Sequence, residues 1–283
     1  MINQNWLIIG QGDIGVPVTN TLAQGNLAVT GLARNERSHY ALDDKAKFIQ
    51  ADALKLSAEQ LQAFTRIAII VTPDEYSTSG YNNSYLAICQ HLAQLAEQLT
   101  ELERIVFISS TGVYGQDNGE WIDEYTAPIT PKRDASKVIR QAEQALQSGF
   151  GDKAIVIRPS GIYGRERLMR LRKARETDKE PIAAEHWSNR IMDRDLVAII
   201  AKVLTIEAPE SIKPLYIATD YRPVTTLELG IWLSEQVGAE PPTVDQNKTA
   251  VTGKRLHSNI PLAWLTYPDW QVGYQDILQH QQD

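Results

Sequence analysis

The chain has 283 residues and a formal net charge of -7, with 43% hydrophobic and 22% charged residues. This ordinary globular composition excludes a disordered chain, a collagen-like chain and a coiled coil. One cysteine, Cys89, excludes a disulfide framework and a cysteine-based zinc site. The acidic balance argues against a nucleic-acid-binding protein. No apolar run reaches the ~18 residues of a membrane span and no signal-peptide pattern opens the sequence, so we expect a cytoplasmic protein without a membrane partner.

Short apolar segments alternate with helix-like segments in the first half of the chain. The apolar segments are residues 6–10, 27–32, 48–50, 67–71, 105–108 and 154–157. Most are nearly continuous apolar runs, which are typical of strands buried on both faces of a parallel sheet. Residues 85–99 and 138–146 repeat apolar positions at spacings of three and four, which predicts helices. Strands that alternate with helices predict an α/β fold, a Rossmann-like doubly wound parallel sheet.

The pattern changes after about residue 160. Residues 165–175 are rich in arginine, which fits either a clamp for a phosphorylated or sugar-nucleotide substrate or a solvated loop. Helix patterns at 196–204 and 226–237 flank a strand pattern at 215–218. We therefore predict a nucleotide-binding domain over residues 1–160 and a smaller, partly helical substrate lobe over 161–283. A strand and a helix from the second half can still return to the first domain.

Residues 10–15, at the end of the first strand pattern and directly after it, read GQGDIG. This segment fits the fingerprint G-x-G-x-x-G. A strand before this turn and a helix after it are the context in which the fingerprint binds a dinucleotide. The helix N-terminus would offer free N–H groups to the phosphates. The alternative is a tight strand-to-helix turn without a ligand. The candidate phosphate-binding residues are Gly10, Gly12, Asp13, Ile14 and Gly15.

The end of the second strand predicts which dinucleotide binds. An NAD site usually carries an acidic residue about 20 residues after the glycines, where it bonds the ribose 2′-hydroxyl. This sequence has Arg34 in that region, with Arg37 close behind. Because arginine pairs with a 2′-phosphate, we expect NADP(H) rather than NAD(H), although a solvated arginine is the alternative. Asp52, after the third strand pattern, is a candidate acceptor for the adenine amino group or an ordinary loop residue.

Four further segments resemble motifs of one protein family. Residues 108–115 read ISSTGVYG, residues 158–164 read RPSGIYG, residues 189–196 read NRIMDRDL, and residues 253–259 read GKRLHSN. In this order they resemble the motifs of the extended or atypical short-chain dehydrogenase/reductases, the NAD-dependent epimerase/dehydratase family. Met192 stands where the third motif has a histidine. The resemblance extends over nearly the whole chain and implies the Rossmann-like fold.

The resemblance also implies a catalytic set of a Ser or Thr, a Tyr and a Lys, with the tyrosine four residues before the lysine. Ser110 matches the first member, with Thr111 beside it, and Lys137 matches the lysine. Arg133 occupies the position of the tyrosine, and none of the twelve lysines has a tyrosine four residues before it. Arginine stays protonated, so it cannot act as a general base near neutral pH. The usual proton transfer therefore lacks its acid/base group.

Other groups are alternatives for this role, in particular tyrosines at strand ends and carboxylates near the cofactor. These are Tyr114, Tyr163, Glu124 and Asp134. We favour an interpretation in which Lys137 and Arg133 bind a ribose or an anionic ligand group, with Thr111 and Tyr163 at the substrate. The five histidines are scattered, so we expect no metal site.

Two functions remain open at this stage. One is an NADP(H)-dependent oxidoreductase or epimerase-like enzyme that acts on a small polar, for example sugar-derived, substrate. The other is a catalytically silent protein that binds NADP(H) and reports its level or redox state. The resemblance further implies a homodimer through helices on the flank of the sheet, for which the predicted helix over residues 85–99 is a candidate. Its apolar face is equally suited to the core of its own chain.

Overall fold

Fourteen strands are found in the computed structural model, which describes residues 5–35 and 41–280. In chain order they are β1 (Asn5–Ile9), β2 (Ala28–Ala33), β3 (Lys47–Gln50), β4 (Arg66–Ile69), β5 (Arg104–Ile108), β6 (Trp121–Ile122), β7 (Ala154–Pro159), β8 (Gly161–Tyr163), β9 (His186–Ser188), β10 (Arg190–Met192), β11 (Leu215–Ala218), β12 (Val224–Thr225), β13 (Thr252–Gly253) and β14 (Arg255–Leu256).

Helices occupy most of the connections between the strands. They are α1 (Gly15–Gln24), α2 (Ala58–Leu61), α3 (Thr78–Tyr81), α4 (Ala87–Gln94), α5 (Asp134–Phe150), α6 (Met169–Ala174), α7 (Asp193–Thr205), α8 (Thr226–Gln236) and α9 (Trp270–Gln279). A π-helical segment, Asn82–Leu86, joins α3 to α4. Single 3-10 turns lie at Ala53–Lys55, Ala96–Gln98, Thr111–Val113, Gly151–Lys153, Pro209–Ser211 and Leu262–Trp264. No helix in these described ranges is long and apolar enough to cross a membrane.

Seven strands form one large sheet in the order β11-β7-β5-β4-β1-β2-β3. The pairs from β7 to β3 are parallel. β11 also runs parallel to β7, because Val156 donates to the Pro214 carbonyl (2.9 Å) and Ser160 donates to the Ala218 carbonyl (3.0 Å). The chain winds outward from β1 to β3 and then returns to β4 on the other side of β1. This reversal confirms the predicted Rossmann-like doubly wound fold, in which ligands bind beyond the carboxyl ends of the strands.

The central strands have the apolar character that the sequence indicated. Every residue of β4 and β5 is buried, as are four of the five residues of β1. A strand covered by helices on both faces has no exposed side, so its apolar residues run on without alternation. The outer strand β3 is short and largely exposed, which explains its weaker pattern.

Two buried arginines hold the end of α7. Arg66 donates to the Leu204 carbonyl (2.5 Å), while Arg104 donates to Leu204 (3.1 Å), to Ile206 (2.8 Å) and to Val203. The last carbonyls of a helix have no partner within the helix, and the helix dipole favours a positive charge there. The two guanidinium groups satisfy both requirements, so they fix α7 to the starts of β4 and β5.

The chain divides into two compact units. Unit 1 takes its described residues from Met1–Val113, Thr130–Arg158 and Leu196–Tyr216, and unit 2 from Tyr114–Ile129, Pro159–Asp195 and Ile217–Asp283. Unit 1 contains α1 to α5 and most of the large sheet. Unit 2 has a core of aromatic and aliphatic side chains from α6, α8 and α9 and from the strands β8 and β10. Its other strands form the small sheets β12-β9-β13 and β14-β6.

Candidate functional site

The turn after β1 has the geometry that its glycines indicated. Gly10 has a φ of +95°, a conformation that residues with a side chain rarely adopt, and its N–H donates to the Leu32 carbonyl (2.8 Å). Gly15 begins α1, and a Cβ atom there would lie 1.9 Å from the Gly10 carbonyl oxygen. Both positions therefore require glycine, and the turn carries the backbone directly from β1 into α1.

The buried side chain of Gln11 stabilises this turn through hydrogen bonds. The Gln11 amide donates to the Ile8 carbonyl (3.0 Å) and to the Thr19 hydroxyl of α1 (3.0 Å). It thereby ties the strand, the turn and the helix together. The fingerprint leaves the second position of the turn free to vary, so no motif in the sequence pointed to a role for Gln11.

The N-terminus of α1 is open to an anion. Ile14 occupies the N-cap position and provides no side-chain cap, and the first turn contains no acidic residue. The first N–H groups of a helix need a partner from outside the helix, and the helix dipole attracts negative charge to them. Val16 donates to the Gly12 carbonyl (3.0 Å) and Pro17 has no N–H, so a phosphate would be bound by N–H groups of the turn before Val16, and the residues present fit a dinucleotide.

Arg34 follows β2, as predicted, and forms an ion pair that the sequence did not reveal. Its guanidinium lies 2.5 Å from the Asp74 carboxylate, and both side chains are mostly exposed. The hydrogen bond to Asp74 is the main cause that raises the pKa of Arg34, and Asp52 acts in the same direction. An incoming 2′-phosphate would thus compete with Asp74 for Arg34. Arg37 lies outside the described residues.

Asp52 has a local partner as well. Its carboxylate accepts from the Leu54 N–H (3.0 Å) and caps the 3-10 turn after β3. The side chain lies at the same edge of the sheet as Gly10 and Arg34, because each follows the carboxyl end of a parallel strand. Its proposed contact with an adenine stays a prediction.

Ser110 and Thr111 follow the carboxyl end of β5. The Ser110 hydroxyl accepts from the Gly112 N–H (3.0 Å), so its own proton can be donated to another oxygen. A Cβ on Gly112 would lie 3.2 Å from the Ser110 hydroxyl and 3.1 Å from that of Ser136. Ser136 is a buried polar residue of α5 that the sequence analysis missed. Gly112 thus lies between two hydroxyl groups at the end of the sheet.

Lys137 and Arg133 lie at the start of α5. Arg133 is its N-cap residue, with an exposed side chain, and Lys137 forms an ion pair with Asp134 (2.8 Å). The next helical neighbours of Lys137, Gln141 and Gln144, are exposed, whereas Ser136 points to the buried side. The structure therefore gives Lys137 a carboxylate partner in its own first turn. Contact with a ribose stays a prediction.

A phenol lies near the start of α5 on the neighbouring helix. Tyr81 stacks on Tyr85, with 5.5 Å between the ring centroids. Burial is the main cause that raises the pKa of Tyr81, whereas the charge of Arg133 acts in the opposite direction. A phenol with a raised pKa keeps its proton, so Tyr81 is suited to donate a hydrogen bond and poorly suited to act as a base.

The tyrosines considered as alternatives are buried. Tyr163 stacks on Tyr274 in unit 2 (4.5 Å between centroids), and burial raises the pKa of Tyr163 strongly. Tyr114 is also buried, and its hydroxyl lies 3.5 Å from the Asp123 carbonyl. Tyr163 belongs to unit 2, whereas Ser110 and Lys137 belong to unit 1. No group of three His, Cys, Asp or Glu side chains in the described ranges is placed to hold a metal ion.

A buried ion pair anchors the strand ends that carry the candidate residues. Arg158, at the end of β7, donates to both oxygens of Glu143 on α5 (2.9 and 2.7 Å). Ser109, next to Ser110, donates to Glu143 (2.5 Å). The three residues join β5, β7 and α5 at the edge of the sheet where Ser110 lies. Glu143 could have been found from the sequence, because it falls on the apolar face of the helix.

Comparison with known proteins decides the family. The model of the NAD dependent epimerase/dehydratase family matches residues 6–200, which is more than half of the chain. The chain belongs to this family. The resemblance seen in the sequence motifs is therefore confirmed, and with it the expected fold.

Several members and structural neighbours cover nearly the whole chain. A solved epimerase/dehydratase-family protein from Methylobacillus flagellatus is 30% identical, with a TM-score of 0.79 over 99% of this chain and 100% of that one. The protein YeeZ of Escherichia coli K12 is 24% identical over 93% of this chain and 96% of its own. The UDP-glucuronic acid 4-epimerase of Bacillus cereus, solved in complex with NAD, shares the fold at 16% identity, with a TM-score of 0.71 over 99% and 100% of the two chains.

Proposed function

We propose that this protein binds NADP(H) at the glycine turn and acts as an oxidoreductase or epimerase-like enzyme on a small polar, for example sugar-derived, substrate. The observation that carries the proposal is the N-terminus of α1, which has no side-chain cap and follows the turn that begins at the positive-φ Gly10. Membership of the family supports a nicotinamide dinucleotide, and a neighbour of the same fold was solved with NAD. A bound nicotinamide would supply reversible hydride transfer.

We assign the cofactor contacts from the positions of the residues at the carboxyl edge of the large sheet. The backbone N–H groups of residues 12–15 would face the diphosphate. Asp52 would accept from the adenine amino group, and Lys137 would bind the nicotinamide ribose. Arg34, with Arg37, would pair with the 2′-phosphate, because a guanidinium forms two charge-assisted hydrogen bonds with a phosphate.

The groups assigned to the substrate are Ser110 and Thr111 after β5, Arg133 at the start of α5, and Tyr163, which belongs to unit 2. The Ser110 hydroxyl would donate to a substrate oxygen, with Thr111 beside it. Arg133 would stabilise negative charge that develops on that oxygen, although it cannot remove a proton. The enzyme would therefore use a proton acceptor other than the family tyrosine, or a water held by Ser110 and Lys137.

A second function is favoured by one specific observation. The sequence has no tyrosine four residues before Lys137, and the Lys137 ammonium is bound to Asp134. A protein with this arrangement could hold NADP(H) and report its level without turnover. A screen of alcohols, aldehydes and sugar derivatives, followed by nicotinamide absorbance for net oxidation or reduction and by proton NMR of the products for redox-neutral turnover, separates the two functions. Turnover that disappears in Ser110→Ala supports the enzyme, and tight binding without any turnover supports the sensor.

Calorimetric titration with NADPH, NADP, NADH and NAD tests the proposed cofactor site. We expect the phosphorylated pair to bind at least tenfold more tightly, which corresponds to ~1.4 kcal/mol. Gly12→Val should abolish binding of all four, because a side chain there would block the approach of the diphosphate. The matched control is Gly25→Ala at the far end of α1, where φ is -72°. Equal binding by wild type and Gly12→Val would show that the glycine turn is only structural.

The pair Arg34–Asp74 provides a test of cofactor preference in both directions. Arg34→Ala should weaken NADPH by roughly ten- to a hundredfold, since a hydrogen bond to a charged group contributes ~1.5–3 kcal/mol. Asp74→Asn should strengthen NADPH, because it removes a competing carboxylate from the guanidinium (2.5 Å). The affinity for NADH should change less in both variants. Equal losses of NADPH and NADH in Arg34→Ala would contradict the assignment of a 2′-phosphate site.

A further inference from the structure

The helical segment between β4 and β5 brings a tyrosine to the carboxyl edge of the large sheet. It consists of α3, the π-helical segment and α4. A connection between two parallel strands carries the chain from the end of one strand back to the start of the next, so its first turn lies beyond the carboxyl ends. Tyr81, the last residue of α3, therefore lies at the edge where Ser110 follows β5, and both residues belong to unit 1.

The backbone around Tyr81 has a defined conformation. The Ser77 hydroxyl accepts from the Gly80 N–H (3.1 Å) and caps α3. A Cβ on Gly80 would lie 2.1 Å from the Glu75 carbonyl oxygen, so this close approach requires glycine. The π-helical segment Asn82–Leu86 begins directly after Tyr81. Such segments are rare, and many of them occur at functional sites.

Aromatic packing positions the Tyr81 ring. This ring stacks on Tyr85, and the Tyr85 ring contacts Phe107 of β5 edge-on, with 6.0 Å between the centroids. The three rings connect Tyr81 to the strand that ends just before Ser110. Tyr81 is partly exposed, and its hydroxyl forms no hydrogen bond with a residue in the described ranges. The hydroxyl is therefore available to a ligand.

Arg133 places a positive charge near this phenol. α3 packs against α5, whose N-cap residue is Arg133. Burial is the main cause that raises the pKa of Tyr81, and the charge of Arg133 acts to lower it. Arg133 forms no ion pair with any residue that the structure describes, whereas Lys137 is paired with Asp134 (2.8 Å). The guanidinium can thus stabilise negative charge on the phenol oxygen.

The first turn of α5 also contacts the turn that follows Ser110. Gly112 lies in that 3-10 turn, and a Cβ there would lie 3.2 Å from the Ser110 hydroxyl and 3.1 Å from the Ser136 hydroxyl. Ser136 and Arg133 both belong to the start of α5. The same end of α5 is therefore close to Ser110 through one neighbour and to Tyr81 through another.

We propose that Tyr81 replaces the missing family tyrosine as the proton donor of a carbonyl reduction, with its hydroxyl and that of Ser110 donating to the same substrate oxygen. The proposal deepens the proposed function, because it rests on the enzyme rather than on the sensor and names a carbonyl compound as the substrate class. The sequence spacing does not reveal this arrangement, since the phenol and Lys137 belong to different helices.

The Tyr81 hydroxyl supplies the one proton that the reduction requires. The substrate carbonyl carbon accepts a hydride, with its electron pair, from NADPH, which is oxidised to NADP. The π pair of the C=O bond moves to the oxygen. The O–H bond of Tyr81 breaks, and its proton forms the O–H bond of the product alcohol. Arg133 stabilises the phenolate that is left, which then takes a proton from water.

Reduction of a panel of aldehydes, ketones and keto sugars, followed by NADPH absorbance, tests this role. We expect Tyr81→Phe to lower kcat at least about a hundredfold, the usual contribution of a positioned proton donor, with the affinity for NADPH unchanged. Phenylalanine keeps the stacking on Tyr85, so the fold should not change. The matched control is Tyr76→Phe, which removes a phenol that is 88% exposed and should keep the wild-type kcat.

The kinetic outcomes separate this proposal from the proposed function. A wild-type kcat in Tyr81→Phe, or a loss of turnover in Tyr76→Phe instead, would overturn the role of Tyr81 and leave the enzyme in place. Tight binding of NADPH without reduction of any carbonyl compound by wild type would contradict the enzyme itself, and the role of Tyr81 with it.

Carbon NMR of tyrosine labelled at Cζ tests the placement without cofactor or substrate. The Tyr81 signal, identified by its loss in Tyr81→Phe, should titrate above the ordinary pKa of 10.0. Arg133→Gln should raise this pKa further, because it removes the charge that lowers it. Arg140→Gln, the same substitution farther along α5, should leave the pKa unchanged. If Arg133→Gln titrated as wild type does, the guanidinium would not act on the phenol and the proposal would fail.

Discussion

Glu143→Ala is expected to lower the free energy of unfolding by about 3–5 kcal/mol, the usual cost of removing one partner of a buried ion pair. The substitution takes from Arg158 both carboxylate oxygens, at 2.9 and 2.7 Å, and takes from Ser109 the acceptor of its hydroxyl proton. Both side chains of the pair are about 90% shielded from solvent, since their exposures are 10% and 8%. Urea unfolding followed by circular dichroism measures the loss.

The exposed pair Arg222–Glu228 serves as the matched control. Its side chains are 46% exposed, so Glu228→Ala should cost no more than about 1 kcal/mol. The double substitution Glu143→Leu with Arg158→Met should recover much of the loss, because it leaves no buried charge without a partner. If Glu143→Ala and Glu228→Ala shifted the urea midpoint equally, the buried pair would have no special importance for the fold.

We expect the free energy of unfolding of Asp220→Asn, relative to that of the wild type, to increase as the pH rises. Burial raises the pKa of Asp220 from 3.8 to about 8. Between these values the folded protein keeps a proton that the unfolded chain has lost, so this group makes the wild type less stable as pH rises through the window. Asparagine does not titrate. The difference in unfolding free energy should grow by at least about 1 kcal/mol from pH 5 to pH 8.

Asp245, a carboxylate whose pKa is shifted in the opposite direction, provides the control for this titration. A hydrogen bond from Lys248 is the main cause that lowers the pKa of Asp245, so its ionised form is favoured in the folded state. Asp245→Asn should therefore lose stability relative to wild type above pH 4, and should show no gain towards pH 8. If the difference in unfolding free energy between Asp220→Asn and wild type did not change from pH 5 to pH 8, Asp220 would be ionised in the folded protein over this whole range.

Elements with a long pattern could be predicted from the sequence. The apolar runs at residues 67–71 and 105–108 became β4 and β5, and residues 138–146 became the middle of α5. The helix predicted over 85–99 has the expected buried residues Cys89 and Leu92, but it begins at Thr78, where the Ser77 hydroxyl caps it. The small strands of unit 2 have two or three residues each, which is too short for any periodicity to show.

The candidate site was predictable where the backbone alone determines it. Gly10 is required by its positive φ, and Gly15 is required by the close packing against Gly10. In both cases the glycine itself indicates the constraint in the sequence. The pairing of Arg34 with Asp74 joins residues 40 positions apart, so it depended on the fold. The ion pair of Lys137 with Asp134 follows from spacing, because residues three apart are neighbours on a helix.

The capping of α7 by Arg66 and Arg104 has a consequence for how the chain is synthesised. Arg104 leaves the ribosome about 100 residues before the carbonyls that it binds, and Arg66 leaves it 138 residues before the Leu204 carbonyl. Until then Arg66 can pair with Glu103 (3.2 Å), Arg104 lacks the carbonyls that it binds, and β7 has an unpaired edge, which is the kind of edge that pairs with other chains. Two whole segments of unit 2, Tyr114–Ile129 and Pro159–Asp195, are made in the interval. Unit 1 therefore completes its folding late, and its incomplete form is the stage most exposed to aggregation.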